Sequence, residues 1–226
     1  LISLSKANRI LANCIESIFQ SDMYGMPEYS VATRLESLFV NEAFTDLNPS
    51  TARAFVYVMS GSNSSYANKS FNVSTTKLID HGEPVLVEVA ACVDGLWVDL
   101  SRTFYDGTDP VINSARDYCE DFHLHFGEKR FSDEPGLEAY EFYLNSEFTP
   151  QEIESFKAPF LGHTTGFGYH GNLCIESGSS SIIPDKSVWA IEPGCYKPRS
   201  WGVRHEKNYY FHEGRFHPLE DLKFVE

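Results

Sequence analysis

Five side chains able to ligate a metal follow one another along the chain: Glu88, Asp99, His163, Glu192 and Glu206, each in a hydrophobic or glycine-rich stretch. Glu88 and Asp99 lie among Val, Leu and Trp in the run from Val85 to Phe104. An unpaired carboxylate in such surroundings costs several kcal/mol of desolvation, so a cation should compensate it, and a divalent metal is the simplest candidate. His163 stands in a run whose glycines, Gly162, Gly166, Gly168 and Gly171, let the backbone approach closely, and His170 follows it seven residues on. Glu192 ends the hydrophobic run that starts at Val188, and Pro193-Gly194 then reads as a turn. Glu206 lies inside a strand-like run from Trp201 to Phe211. Four carboxylates and one imidazole make an oxygen-rich site suited to Mn²⁺, Co²⁺, Fe²⁺ or Zn²⁺ rather than a thiolate-type structural zinc. Five ordered members favour metal binding over a structural network with Arg102 and Arg204; Arg204 is expected to orient a ligating carboxylate.

The elements that must carry these residues can be read from periodicity. Residues 4 to 19 have apolar positions at helical spacing (Leu4, Ala7, Ile10, Leu11, Cys14, Ile18), and Pro27-Glu28 opens a second helix through about Phe39. Ala54 to Met59 is a strand that enters a Ser/Asn-rich stretch, 60 to 76, read as an active-site loop. After a turn at Asp80 to Pro84, two strands joined at Asp94-Gly95 put Glu88 and Asp99 on neighbouring strands. Residues 112 to 125 and 149 to 157 read as helical, the second from Thr149-Pro150 as N-cap and first turn. The acidic, aromatic stretch 126 to 148 is aperiodic and is expected to form a wall of the substrate pocket. His123-Leu124-His125 points its two rings to different helix faces, so both are expected to be exposed polar residues.

The chain has 226 residues, and its single ordered ligand series favours one domain over 1–226. A net charge of −14 argues against nucleic acid and anionic membrane surfaces, which require Lys/Arg clusters. No run of about 18 apolar residues is present to span a membrane. Five cysteines without CxxC spacing suggest reduced thiols in the cytoplasm, and three Asn-x-Ser sequences between Asn63 and Ser74 are read as chance sequons.

These stretches resemble the signatures of the pita-bread metallopeptidases, the family of methionine aminopeptidase, Xaa-Pro aminopeptidase, prolidase and metal-free creatinase. The resemblance runs from about Ser3 to Leu219, and Gly25-Met-Pro-Glu28, Asp99-Leu-Ser-Arg-Thr-Phe104, Glu192-Pro-Gly-Cys-Tyr196 and Gly202-Val-Arg-His-Glu206 lean toward its Xaa-Pro and prolidase side. It implies an α+β fold of two pseudo-symmetric halves, with helices outside a curved antiparallel sheet and one or two divalent metals, Mn²⁺ favoured, on the inner face. The chain starts at Leu1, and an excised catalytic domain that once followed an N-terminal domain is the expectation. By the same resemblance Glu88 matches the residue chelating the first metal, Asp99 and Glu206 bridge both, and His163 and Glu192 bind the second. Glu192 would shuttle a proton, and His170 would bind substrate or intermediate. Two positions depart from the pattern. Glu88 stands where the family normally has Asp, and Asn68 where an active peptidase usually has a substrate-stabilising His. The implied activity is exopeptidase hydrolysis of a small peptide or amide by metal-activated water, with a homodimer possible. A non-peptidase metalloenzyme and a peptide-binding pseudopeptidase are the alternatives.

Overall fold

The computed structural model describes residues 1–66, 74–178 and 182–222. Asn68 lies outside the described residues, so its expected substrate contact does too.

The first half begins with helices α1 (Ile2–Phe19) and α2 (Glu28–Leu47). On α1 the residues Leu4, Ala7, Leu11, Cys14, Ile15 and Ile18 form one buried stripe, the three-to-four spacing that an amphipathic helix requires. The second helix runs a further eight residues beyond Phe39 and stops at Asn48, whose left-handed φ of 47° closes it. Asn followed by Pro49 is a stop signal present in the sequence. Strands β1 (Ala52–Ser60), β2 (Val85–Val93) and β3 (Leu96–Phe104) form an antiparallel sheet in that order. The β2–β3 turn has positive φ at Asp94 (49°) and Gly95 (82°), the backbone a type I′ hairpin needs. Even residues of β1 (Ala54, Val58) and odd residues of β2 (Val85, Val87, Val89) pack against α1 and α2 in one core. The opposite face therefore carries Tyr57, Glu88 and Asp99.

The second half repeats the plan. Helices α3 (Pro110–Glu128) and α4 (Pro135–Leu144) precede strands β4 (Phe160–Thr165), β5 (Cys174–Glu176), β6 (Ser187–Ile191), β7 (Gly194–Lys197), β8 (Trp201–Arg204), β9 (Lys207–His212) and β10 (Arg215–Pro218). Five of these strands form a sheet in the order β10-β9-β6-β4-β5, and β7 pairs with β8. An aromatic-rich second core of Tyr118, Phe122, Phe126, Tyr143, Trp189 and Phe216 lies between helices and strands.

Four expectations change. The stretch 126 to 148 contains α4, whose buried Ala139, Tyr140 and Tyr143 belong to the second core. The stretch is therefore partly helical rather than aperiodic. Residues 149 to 157 form turns and one 3-10 turn, Glu154–Phe156, instead of a helix. Lys157 Nζ donates to the carbonyls of Tyr143 (3.2 Å) and Leu144 (2.7 Å) and to Thr149 Oγ1 (3.3 Å), so the segment's polar groups go into closing α4. A nine-residue segment is also too short to offset helix nucleation unaided. The run from Trp201 to Phe211 breaks at His205-Glu206 between β8 and β9, and Pro193-Gly194 leads directly into β7. His123 is buried: its Nδ1 meets Tyr209 Oη at 2.8 Å and its Nε2 the His205 carbonyl at 3.0 Å. Burial lowers its pKa to about 3. His125 is exposed, as expected.

Candidate metal centre

The two halves meet along β3. Trp97 N donates to Gly166 O (2.6 Å), and Glu206 N to Ser101 O (2.9 Å). Arg204 N and O both bond Thr103 Oγ1 at 3.0 Å. Asn208 accepts from Asp99 N (3.2 Å) and donates to Asp99 O (2.7 Å). The break at His205-Glu206 lets the chain leave β8, bond β3 through Glu206 and rejoin the larger sheet. This seam collects the candidate ligands, which the sequence spreads over 118 positions from Glu88 to Glu206.

Asp99, His163 and Glu206 are all buried and present ligand atoms within 4.8 Å of one another. His163 Nε2 stands 3.6 Å from Asp99 Oδ2, 3.6 Å from Glu192 Oε1 and 4.0 Å from Glu206 Oε1. Two donors bound to one ion at roughly 2.1 Å, the usual length for N and O ligands, lie about 3.4 Å apart at tetrahedral angles. The other ring nitrogen, Nδ1, lies 3.0 Å from Thr164 O. That bond fixes the tautomer with the proton on Nδ1, so the Nε2 lone pair faces the carboxylates. Burial, and then His170, lowers the His163 pKa to about 4, so the ring is neutral at physiological pH. Among the described residues Asp99 Oδ1 is buried without any hydrogen-bond partner. A lone pair facing carboxylate oxygens, one of them without a partner among the described residues, is an arrangement that a cation would satisfy. By chemistry and spacing, these residues could hold a divalent metal.

Electrostatics point the same way. Burial, followed by Glu88 and Glu192, pushes the Asp99 carboxyl well above its usual range. Burial, followed by Asp99 and Glu192, does the same to Glu206. Glu192 rises to about 7, mainly through burial, with Glu88 adding and Arg204 opposing. In the metal-free folded chain these groups hold protons that the unfolded chain releases near pH 4. Their contribution to stability is therefore full below about pH 4 and is lost as pH rises through the folded values, about 7 for Glu192. A metal would displace those protons, so its affinity should climb by up to about tenfold per pH unit for each proton displaced. The rise in melting temperature on adding Mn²⁺ should be larger at pH 8 than at pH 5.5. A shift independent of pH would contradict the ligand set.

Glu88 is engaged by Arg204. Its Oε2 is ion-paired with Arg204 Nη2, and the same guanidinium reaches Glu192 Oε2 at 3.5 Å, Tyr196 Oη at 3.3 Å and Ser101 Oγ at 3.1 Å. The expectation that Arg204 orients carboxylates therefore falls on Glu88 and Glu192. Arg102 lies behind the site, donating to the carbonyls of Ser101 and Glu206.

His170 has a left-handed φ of 53° and stacks its ring on His163 at 4.0 Å. The following Gly171 lies against Thr164, where a Cβ would come within 2.0 Å of Thr164 Oγ1, so only glycine allows this approach. Three residues at the site carried no role in the sequence reading: Tyr57, which pairs with Glu88 across β1–β2; Tyr196, beside Arg204; and Tyr169, stacked on Trp97. Alternation along β1 was the one available signal for Tyr57. Nothing local marks the other two.

His163→Ala should remove the nitrogen donor and lower metal affinity at least 10- to 100-fold, the range seen for loss of a supporting partner. Metal analysis after dialysis reads this directly, and unchanged retention would exclude His163 as a ligand.

The sequence model described as metallopeptidase family M24 matches residues 3–213. A comparison with curated proteins finds no match. Among solved structures, an X-Pro aminopeptidase from Thermotoga maritima is similar at 19% identity with a TM-score of 0.82, over 99% of this chain and 61% of that one. A dipeptidase from Pyrococcus horikoshii matches at 22% identity and TM-score 0.80, over 97% and 59%. A prolidase from Pyrococcus furiosus matches at 20% identity and TM-score 0.76, over 98% and 63%. The chain spans about three fifths of the length of these structures. The architecture they share with it is the pita-bread fold.

Proposed function

The chain belongs to metallopeptidase family M24, and from that premise we propose that it is a metal-dependent exopeptidase hydrolysing small Xaa-Pro peptides. The observation that carries the reading is the buried set of Asp99, His163 and Glu206, whose ligand atoms converge within 4.8 Å and include an Asp99 oxygen that has no hydrogen-bond partner among the described residues. With Glu192 they would hold the metal. When bound, a divalent ion activates water as a nucleophile and polarises the carbonyl under attack.

The chain's own residues do the rest. Glu192 takes the proton of the attacking water and returns it to the leaving nitrogen. One of its oxygens faces His163 and the other Arg204, so its orientation is held from both sides. His170, stacked on His163, donates a hydrogen bond to the oxygen that gains charge during attack. The seam excludes bulk water from Asp99 and Glu206, which strengthens every charge interaction at the reacting amide. Substrates are small peptides, recognised beside these residues.

A single tight metal follows from the pairing of Glu88 with Arg204. Chelation of a second ion by both Glu88 oxygens would require breaking that partly buried ion pair. Calorimetric titration with Mn²⁺ should give one tight site per chain and a second that is much weaker or absent. Two equally tight sites would overturn the assignment. The same pairing favours a second reading, a one-metal hydrolase acting on a small non-peptide amide, because the site then lacks half of the family's two-metal centre. A panel of Xaa-Pro dipeptides and simple amides, assayed with Mn²⁺ present, tests both: cleavage confined to the amides would replace the first reading with the second.

A further inference from the structure

The stretch from Arg204 to Asn208 follows β3 as an added antiparallel strand would, yet only its middle rung joins two backbones. Residues 204, 206 and 208 meet 103, 101 and 99 in turn, two positions along one segment for two back along the other. At the middle rung Glu206 N donates to Ser101 O (2.9 Å). At the first, Thr103 Oγ1 bonds both backbone groups of Arg204. At the last, the backbone of Asn208 is turned elsewhere: it stands opposite Ala190 in the β6–β9 pair, and its carbonyl accepts from Leu219 N (2.9 Å). The side-chain amide completes the rung instead. Asn208 Oδ1 accepts from Asp99 N (3.2 Å), and Nδ2 donates to Asp99 O (2.7 Å) and to Asn8 Oδ1 (2.8 Å) on α1.

Asp99 and Glu206 therefore stand on neighbouring rungs, and a side chain makes the rung that carries Asp99. Asn8 and Asn208 are both buried. Both N–H donors of the Asn208 amide are used, and its oxygen faces an N–H, so only one orientation of the amide satisfies the three bonds. A carboxylate at this position would have no proton to donate, and a methyl group would leave both Asp99 backbone groups without this partner. Metal sites need their ligands held to within about 0.5 Å, and supporting hydrogen bonds supply that precision. From this arrangement we infer that Asn208 is a positioning residue for the metal centre: its amide sets where the Asp99 carboxylate lies relative to Glu206, and so how tightly the two hold one divalent ion. It acts through the Asp99 backbone rather than on the ion. The inference rests on the metal-binding reading above and deepens it, naming the side chain that fixes the spacing of two ligands.

Two measurements on protein shown to be folded by circular dichroism test this without reference to turnover: Mn²⁺ affinity, by competition with a chromophoric chelator, and the visible absorption bands of the Co²⁺-loaded protein, which report ligand geometry. Asn208→Ala should weaken Mn²⁺ binding by about 10- to 100-fold, the usual cost of losing a group that orients a ligand, and should shift the Co²⁺ bands. Asn208→Thr, whose hydroxyl can still bond one of the two Asp99 groups, should fall between Asn208→Ala and the wild type, and it decides the question alone if Asn208→Ala does not fold. Ser5→Ala is the control. It removes another buried bond between α1 and the second half, Ser5 Oγ to Leu219 O (2.8 Å), without touching Asp99. A role confined to stability would lower the melting temperature of the metal-free Asn208 variants but leave their Mn²⁺ affinity and Co²⁺ bands as in the wild type. That result would overturn the inference, as would an equal loss of Mn²⁺ affinity in Ser5→Ala. A wild type that binds neither ion would overturn the metal reading itself, and this inference with it.

Discussion

Replacing Glu192 by Gln should lower the turnover of Xaa-Pro peptides by about 10²- to 10⁴-fold, the usual contribution of a positioned general acid–base group. The substitution keeps an oxygen able to face His163 at the position where Oε1 now lies 3.6 Å from Nε2. What it removes is the group that can both accept and return a proton, since an amide does not titrate near neutrality. Metal content measured on the same preparation separates the two roles: a mutant that keeps its metal and loses turnover reports proton transfer, and one that loses both reports ligation. Steady-state kinetics should show the loss in kcat more than in KM. Full turnover by Glu192→Gln would remove Glu192 from the mechanism.

The second large effect concerns stability. Arg204 has a side chain only 7% exposed and is the partner of Glu88, itself 20% exposed. Arg204→Met should destabilise the metal-free chain by about 3–5 kcal/mol, because removing one partner of a buried ion pair leaves the other charge uncompensated. The double substitution Arg204→Met with Glu88→Met should recover most of that loss, since replacing both partners by apolar groups of similar size is often neutral. Urea unfolding measures all three proteins. A single mutant as stable as the wild type, or a double mutant no better than the single, would show that the pair does not hold the seam.

Much of the first half was legible because its signals are local. The stripe on α1 and the Asp94-Gly95 turn act within a few residues, and hairpin register then puts Glu88 and Asp99 on adjacent strands, whereas the Asn48-Pro49 stop of α2, equally local, lies eight residues beyond the expected end. The order of candidate ligands was equally readable, because burial of a carboxylate among Val and Leu is itself a local oddity. What escaped depends on contacts made across the chain. Helix α4 opens on Pro135-Gly136, which reads as a break, yet burial of Ala139 and Tyr143 against the second core stabilises it. His123 is drawn inside by Tyr209, 86 positions away, and Glu88 is claimed by Arg204, 116 positions away. Glu28 offers a fourth case. A glutamate in the first turn of α2 looks like an ordinary exposed N-terminal acid, but it is fully buried. It accepts bonds from Ser60 N (2.7 Å), Asn63 Nδ2 (3.1 Å) and Thr75 N (3.0 Å), tying α2 to the segments on either side of the loop after β1.

The central claim is that a divalent metal held by Asp99, His163, Glu206 and Glu192 drives cleavage of Xaa-Pro peptides. Its most direct test is Ala-Pro hydrolysis by one preparation assayed three times: as purified, after chelation and dialysis, and after Mn²⁺ is restored to the metal content confirmed by elemental analysis. The account predicts that cleavage disappears with the metal and returns with it in proportion to occupancy. Stoichiometric metal in the restored protein without any release of proline would contradict it.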